Sequence, residues 1–330
     1  MSGPRIVLCN WHPFSAWRLP ESVAEAVRDA WPEADVVHLE TLEGHEDALS
    51  QCRIFAGSRL PRDAFARAPR LTWIHSTATS VAQFMYPELV ASAVVMTNAR
   101  TVHAAPMAEH AMAMILAMTR RLPSAVRHQS SRHWAQQDLW DEQPRPGEIA
   151  GSRVLLVGFG AVGRAIAARL GAFGATVHAV TRTGRGAPGV QAVLWPADRL
   201  RAVLPAADVV VLAAPATKAT ARLVGREELA AMRPGAILVN LSRGSLVDEE
   251  ALVDALVART IGGAALDVFE EEPLPPESPL WTLPNVLVTP HTSAVSDRLW
   301  PRQTELLVEN LRRFREGRPL LNIVDKNEGY

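Results

Sequence analysis

"VLLVGFGAVGRAIA", residues 154–167, decides how this chain reads. The run Val154–Val157 is uninterrupted and apolar, which predicts a strand buried on both faces. The small and apolar residues that follow predict a helix. Between the two, Gly158, Gly160 and Gly163 fall in the spacing G-x-G-x-x-G. In a strand–turn–helix each glycine has its own task. The first permits the tight turn, the second lets backbone approach a pyrophosphate, and the third lets helix and strand pack closely. Free N–H groups and the helix dipole then favour an anion at the turn. A purely structural glycine turn is the bland alternative. A second strand at the expected distance, "TVHAV" (176–180), favours a dinucleotide site.

The alternation continues downstream. "ADVVVLAAPA" (207–216), "AILVNLS" (236–242), "GGAALDVF" (262–269) and "NVLVTPH" (285–291) read as strands, with a helix over 248–259. Apolar strands alternating with helices predict a parallel, doubly wound sheet. Upstream, "RIVLCN" (5–10), "RIFAG" (53–57), "LTWIHS" (71–76) and "AVVMTN" (93–98) read as strands and 21–30 as a helix, a small α/β unit. "APMAEHAMAMILAMTRRL" (105–122) is apolar on nearly every side and predicts a helix buried between domains or subunits, its methionines packing the core. Residues 144–151 read as a loop. A helix from about Ser296 to Glu316 should end at Gly317, with "PLLNIV" (319–324) extended behind it.

Composition excludes several classes of function. A formal net charge of −1 over 330 residues gives no electrostatic footprint for nucleic acid or an acidic membrane. No apolar run is long enough for a spanning helix or signal segment, so a soluble, cytoplasmic protein is expected. Cys9 and Cys52 offer neither a disulfide framework nor metal-ligand spacing, and no metal is expected. The only lysines are Lys218 and Lys326, and the only tyrosines Tyr86 and Tyr330. A Tyr-x-x-x-Lys relay is therefore excluded, since Val90 stands four residues after Tyr86. Catalysis falls to His, Asp, Glu, Arg or Ser.

An NAD site usually carries an acidic residue about 20 residues past the glycine loop, to bond the ribose hydroxyls. From Arg164 to Ala197 this chain has none. Thr181 falls near that position, followed by Arg182 and Thr183, with Arg185 beyond. A carboxylate there would repel a 2′-phosphate, whereas a guanidinium binds one with forked hydrogen bonds. The bland reading is a solvated basic loop. The clamp reading makes NADP(H) the preferred cofactor and leaves NAD(H) possible.

Arg243, Asp267 with Glu272, and His291 each follow a predicted strand. The carboxyl ends of parallel strands are where open α/β sheets bind ligands. Alone, Arg243 could be a surface charge, Glu272 part of an acidic run and His291 a capping residue. Their joint occurrence behind one nucleotide fingerprint points to a reaction centre.

Together "AEHAMAMILA" (108–117), "GFGAVGR" (158–164), "LVNLSRGSLVDEEAL" (238–252), "ALDVFEEEPLP" (265–275), "NVLVTPH" (285–291) and "GRPLLNIV" (317–324) make the chain resemble the D-isomer-specific 2-hydroxyacid dehydrogenase family over almost its whole length. The resemblance implies an α/β fold in which a Rossmann-type cofactor domain, 99–291, is inserted into a smaller flavodoxin-like substrate domain made of 1–98 and 292–330. It implies a homodimer, with the apolar helix in its core, and a site in the cleft. It implies that Arg243 binds a small 2-oxo acid, that His291 is general acid/base and that Glu272 orients it. Ala161, Val162, Ala214, Pro215, Thr220, Leu241, Ser242 and Asp267 match its cofactor contacts. The chemistry is consistent. An imidazole titrates near the working pH, a carboxylate can favour the imidazolium, and a guanidinium can hold a carboxylate while polarising a carbonyl.

One departure stands out. Where the family grips the substrate carboxylate with a segment like A-G-V-D, this chain has "ATSVAQF" (78–84), with Thr79 and Ser80 at the gripping positions and Ala82 in place of Asp. Ser80 is expected to need a conformation that glycine adopts more easily. His75, Trp134, Trp140 and Trp300 could shape the pocket or simply pack. The expected activity is NADPH-preferring reduction of a small 2-oxo acid, glyoxylate or hydroxypyruvate first. Phosphite or formate oxidation on the same fold, and a non-enzymatic nucleotide-sensing corepressor-like role, stand as alternatives.

Overall fold

Two parallel sheets organise the chain, each inside its own unit: Met1–His103 with Val295–Tyr330, and Ala104–Ala294. The computed structural model describes residues 3–184 and 192–329, so Arg185 lies outside the described residues.

In the first unit the strands are β1 (Arg5–Cys9), β2 (Asp35–Leu39), β3 (Cys52–Gly57), β4 (Trp73–Ser76) and β5 (Val95–Thr97). They pair in parallel in the order β2-β1-β3-β4-β5. That is the flavodoxin-like order. β2 was not among the expected strands. It is an edge strand, half-buried, and Asp35 and His38 interrupt its apolar signal. The helices Glu21–Ala30 and Leu299–Arg315 share one face of this sheet, where Val23, Val27, Leu307 and Leu311 pack on Ile6, Leu8, Ile54 and Trp73. The chain after Gly317 is then tied down. Buried Asn310 donates through Nδ2 to the Leu321 carbonyl at 3.2 Å and accepts the Leu321 N–H through Oδ1 at 2.7 Å. The "PLLNIV" stretch makes a single bridge, Ile323 to Thr97, rather than a strand.

The second unit holds β6 (Arg153–Val157), β7 (Thr176–Thr181), β8 (Val193–Pro196), β9 (Val209–Leu212), β10 (Ile237–Asn240), β11 (Gly263–Leu266) and β12 (Val286–Val288). Their order is β12-β11-β10-β9-β6-β7-β8, parallel throughout. The chain starts at β6, runs outward to β8, then restarts at β9 on the other side. This is the Rossmann winding, whose reversal opens a ligand crevice past the strand ends. Apolar side chains cover both faces of the sheet.

The helix Ala104–Thr119 packs one face within its own unit. Met112, Met114, Ile115 and Met118 pack on the second unit's own strands and on the helix Ala161–Ala172. The unit boundaries lie past the expected 98/99 and 291/292. Ala99 and Val102 pack with Leu299 in the first unit, while the Thr292 and Ser293 N–H groups donate to Asp267 in the second.

Asn310→Ala should leave a half-buried N–H and C=O of Leu321 without their partner. A loss of about 1–3 kcal/mol is expected, read as a lower urea midpoint with unchanged slope.

Candidate active site

The glycine turn does in space what its spacing requires. Gly158, at φ +102°, follows β6, and its N–H donates to the Val180 carbonyl of β7 at 2.9 Å. A Cβ there would sit 2.6 Å from the Ala213 and Ala214 backbone, so only glycine fits. At Gly163 a Cβ would lie 2.4 Å from the Gly158 carbonyl oxygen, the close helix–strand approach. Gly160 differs, because a Cβ there would meet no described protein atom within 4 Å. The fold does not need that glycine. The space beside it is what a pyrophosphate would fill, at the N-terminus of the helix Ala161–Ala172, where no side chain caps the first N–H groups. Ala161 and Val162 supply those N–H groups. These residues fit a dinucleotide.

Thr181 ends β7, Arg182 follows, and Thr183 bridges to Pro196. Val157 and Val180 are registered partners, so Thr181 comes level with the glycine turn. Across the reversal, Ala214 and Pro215 follow β9, and the Ser242 hydroxyl donates to the Ala214 carbonyl. The Thr220 hydroxyl is engaged within its own loop, donating to the Pro215 carbonyl at 2.7 Å and accepting the Thr217 N–H at 2.8 Å. Leu241 is buried in the core, which leaves its backbone as the part able to face a ligand.

Three strand ends bring the candidate catalytic side chains together. Arg243 leaves β10 in an extended conformation, and its Nη1 donates to the Ser242 carbonyl at 2.6 Å. Asn240 braces that turn, donating to the Arg243 carbonyl and accepting the Ser242 N–H. Gly244 then passes so close to the segment after β11 that a Cβ would lie 1.9 Å from the Phe269 carbonyl. Glu272 closes the next loop, its Oε1 accepting the Phe269 N–H at 3.0 Å. Its Oε2 meets His291 Nδ1 at 2.6 Å. His291 has a left-handed backbone, φ +52°, and a side chain 43% exposed. With Nδ1 engaged, Nε2 is the free face of the ring. Burial pulls the Arg243 guanidinium below its ordinary value, with the nearby Glu272 charge acting in the opposite sense.

Asp267 lies directly at the end of β11, inside the edge that carries these residues. It is fully buried and its carboxylate accepts Thr289 Oγ1 at 2.6 Å and the N–H groups of Thr292 and Ser293 at 2.9 and 3.0 Å. Its backbone carbonyl accepts the His291 N–H. Asp267 thus holds the loop that carries His291, and no part of it faces solvent. His110, on the apolar helix, adds Nε2 at 3.0 Å from Thr289 Oγ1. Sequence reasoning missed Asn240, His110 and Thr289. The one visible trace was an imidazole on an otherwise apolar helical stretch.

Thr79 and Ser80 belong to the first unit, in the loop after β4, where the Thr79 carbonyl accepts from Asn98 Nδ2 and the Ser80 carbonyl from Gln83 Nε2. The expectation for Ser80 is corrected, since its φ is not positive and no glycine-like conformation is required. His75 is wholly buried beside Thr97 Oγ1, and burial lowers its imidazole to about 4, so it packs as a neutral ring. Trp300 donates to the Ala16 carbonyl, Arg145 stacks on Trp140, and Trp134 lies 88% exposed.

A dinucleotide cradle beside a carboxylate-braced imidazole and a guanidinium defines an oxidoreductase of the Rossmann class. Residues 112–293 match the model of the D-isomer specific 2-hydroxyacid dehydrogenase NAD binding domain. The chain is 32% identical over 317 residues to a glyoxylate reductase of Thermococcus gammatolerans, covering 93% of this chain and 94% of that one. A D-isomer specific 2-hydroxyacid dehydrogenase from Xanthobacter autotrophicus, solved with NADPH and MES, superposes with a TM-score of 0.85 at 32% identity, covering 100% of both chains. An NADPH-dependent glyoxylate/hydroxypyruvate reductase from Sinorhizobium meliloti, solved with NADP and sulfate, gives a TM-score of 0.82 at 27% identity over 99% of this chain and 100% of that one. The chain belongs to the D-isomer-specific 2-hydroxyacid dehydrogenase family. It is an NAD(P)-dependent oxidoreductase acting on a CH–OH group and the corresponding 2-oxo acid. No helix among the described residues is long and apolar enough to cross a membrane.

The second and third glycines of the turn should separate binding from folding. Gly160→Ala is expected to weaken nicotinamide dinucleotide binding at least tenfold while the melting temperature stays within a few degrees. Gly163→Ala should lower the melting temperature itself, because a carbonyl oxygen stands where its Cβ would go. Cofactor titration and calorimetry on the two variants check this.

Proposed function

We propose that the protein reduces small 2-oxo acids, glyoxylate and hydroxypyruvate foremost, to the D-2-hydroxy acids, and prefers NADPH as donor. The observation that carries the chemistry is the 2.6 Å contact between His291 Nδ1 and Glu272 at the carboxyl edge of the sheet, beside Arg243. When bound, the nicotinamide supplies a hydride to the substrate's α-carbon. His291 Nε2 then delivers a proton to the carbonyl oxygen as charge builds there. Glu272 fixes the ring through Nδ1. Arg243, whose Nη1 is held by the Ser242 carbonyl, presents its remaining N–H groups to the substrate carboxylate and carbonyl. Thr79 and Ser80 are proposed as further substrate contacts.

The preference for NADPH rests on charge. No acidic residue stands between Arg164 and Ala197, and Thr181 ends β7, level with the glycine turn, with Arg182 and Thr183 directly after it. A ribose 2′-phosphate there would meet a guanidinium and two hydroxyls. The NADP-bound relatives agree with this reading. A homodimer is proposed as well. It fits the exposed Leu122 and Trp134, which follow the apolar helix.

Turnover of glyoxylate and hydroxypyruvate, followed at the nicotinamide absorbance, should favour NADPH over NADH. Arg182→Ala should cut kcat/KM for NADPH by about 10–100-fold, the loss of a charge-assisted contact, and leave NADH nearly untouched. Equal use of both cofactors by the unmodified protein would refute the clamp while leaving the reductase chemistry standing.

A further inference from the structure

The strands that present the reactive residues at their carboxyl ends have a second feature at their amino ends. A cavity of about 600 Å³ opens there, bounded by Pro234 and Gly235 before β10, Ile261 and Gly262 before β11, and Pro284 and Asn285 before β12. It lies at the opposite edge of the sheet from Arg243, Glu272 and His291.

The charge in this cavity does not balance. Arg121, Arg127 and Arg259 line it, with Glu142 as the one carboxylate among the lining residues. Three guanidinium groups against one carboxylate leave about two positive charges uncompensated, since arginine stays protonated. Arg121 is 8% exposed. It donates through Nη2 to the Pro144 carbonyl and stands 3.7 Å from Glu142 through Nε, but that Nε makes no hydrogen bond. The Glu142 carboxylate is shared with the Ser124 hydroxyl. Arg127 is braced by Ser124 Oγ and the Pro284 carbonyl, each at 3.0 Å. The Arg259 guanidinium has no hydrogen-bond or ion-pair partner among the described residues, and its charge opposes that of Arg121. Asn285 is 3% exposed and its Oδ1 is unpaired. That amide carries both a donor and an acceptor group, and Nδ2 is used on the Leu256 carbonyl.

A buried guanidinium N–H without an acceptor, the Arg121 Nε, costs free energy unless something accepts from it, and the exposed Arg127 and Arg259 add positive charge at the cavity rim. We propose that this cavity is a binding site for a small phosphate dianion, free phosphate or a phosphate monoester, separate from the dinucleotide cradle. Such a group carries between one and a half and two negative charges near pH 7, on the order of the local excess. Its oxygens suit the guanidinium fork. The proposal is independent of the reaction proposed above, because none of its residues belongs to the catalytic set or the glycine turn.

Inorganic phosphate titrated calorimetrically into the purified full-length protein, at fixed ionic strength in chloride, tests this. Saturable uptake is expected, weakened about tenfold or more by Arg259→Gln and partly restored by Arg259→Lys. Arg182→Ala should leave it unchanged, since that residue belongs to the other proposed phosphate contact. The melting temperature of Arg259→Gln in chloride checks that the fold is intact, as expected for a side chain that bonds nothing. Absence of saturable uptake would overturn the proposal. So would an affinity unmoved by Arg259→Gln, or one removed by Arg182→Ala, which would place phosphate in the dinucleotide cradle. If glyoxylate turnover fails while phosphate binding survives, the reductase reading falls and this site stands.

Discussion

The edge of the sheet that carries Arg243, Glu272 and His291 hangs on one buried carboxylate. Asp267 has no solvent exposure, and burying an unpaired charge would be prohibitive. It is tolerated because Thr289 Oγ1 and the N–H groups of Thr292 and Ser293 all donate to it. The same residue's N–H donates to Asn240, and its carbonyl accepts from His291. Three successive strand ends are thereby fastened at one point. Removing the carboxylate would orphan a hydroxyl and two backbone donors at once. The damage would fall on the segment that carries the imidazole.

That fastening explains how His291 can hold a left-handed backbone. A non-glycine residue there is disfavoured by about 1–3 kcal/mol, and such conformations persist where surrounding bonds over-determine them. The Asp267 bonds on either side of His291 do so. The unusual turn swings the ring toward Glu272, whose other oxygen is anchored on the Phe269 N–H. Orientation of the imidazole thus comes from two loops of different strands. A parallel sheet delivers such loops to one edge without further design.

Much of this could be read in the chain, for identifiable reasons. The glycine turn was legible because each glycine answers a local constraint, and two of the three are explained by backbone atoms within 2.6 Å of the missing Cβ. Arg243, Glu272 and His291 were legible because each stands past an apolar strand, so one topology sets all three on one edge. The edge strands β2 and β8 were not, since Asp35 and His38 interrupt the first and the second is only the four residues Val193–Pro196, ending in proline. The buried network was not legible either. His110 and Thr289 are 179 positions apart, and nothing in either segment announces the other. Asp267 could be picked out by position, but its carboxylate's partners are loop N–H groups whose direction only the folded turn decides. At Ser80, bonds from Asn98 and Gln83 shape the loop without a positive φ, which side-chain size alone did not foretell.

The central claim is that His291 and Glu272 act as one unit in a proton transfer. A double-mutant cycle on kcat for glyoxylate reduction tests it most directly, with Glu272→Gln, His291→Ala and the pair together. His291→Ala should slow turnover by about 10²–10⁴-fold. Adding Glu272→Gln should then slow it little further, because the carboxylate works only through the ring. Effects that multiply, or a His291→Ala variant that keeps its rate, would contradict the account.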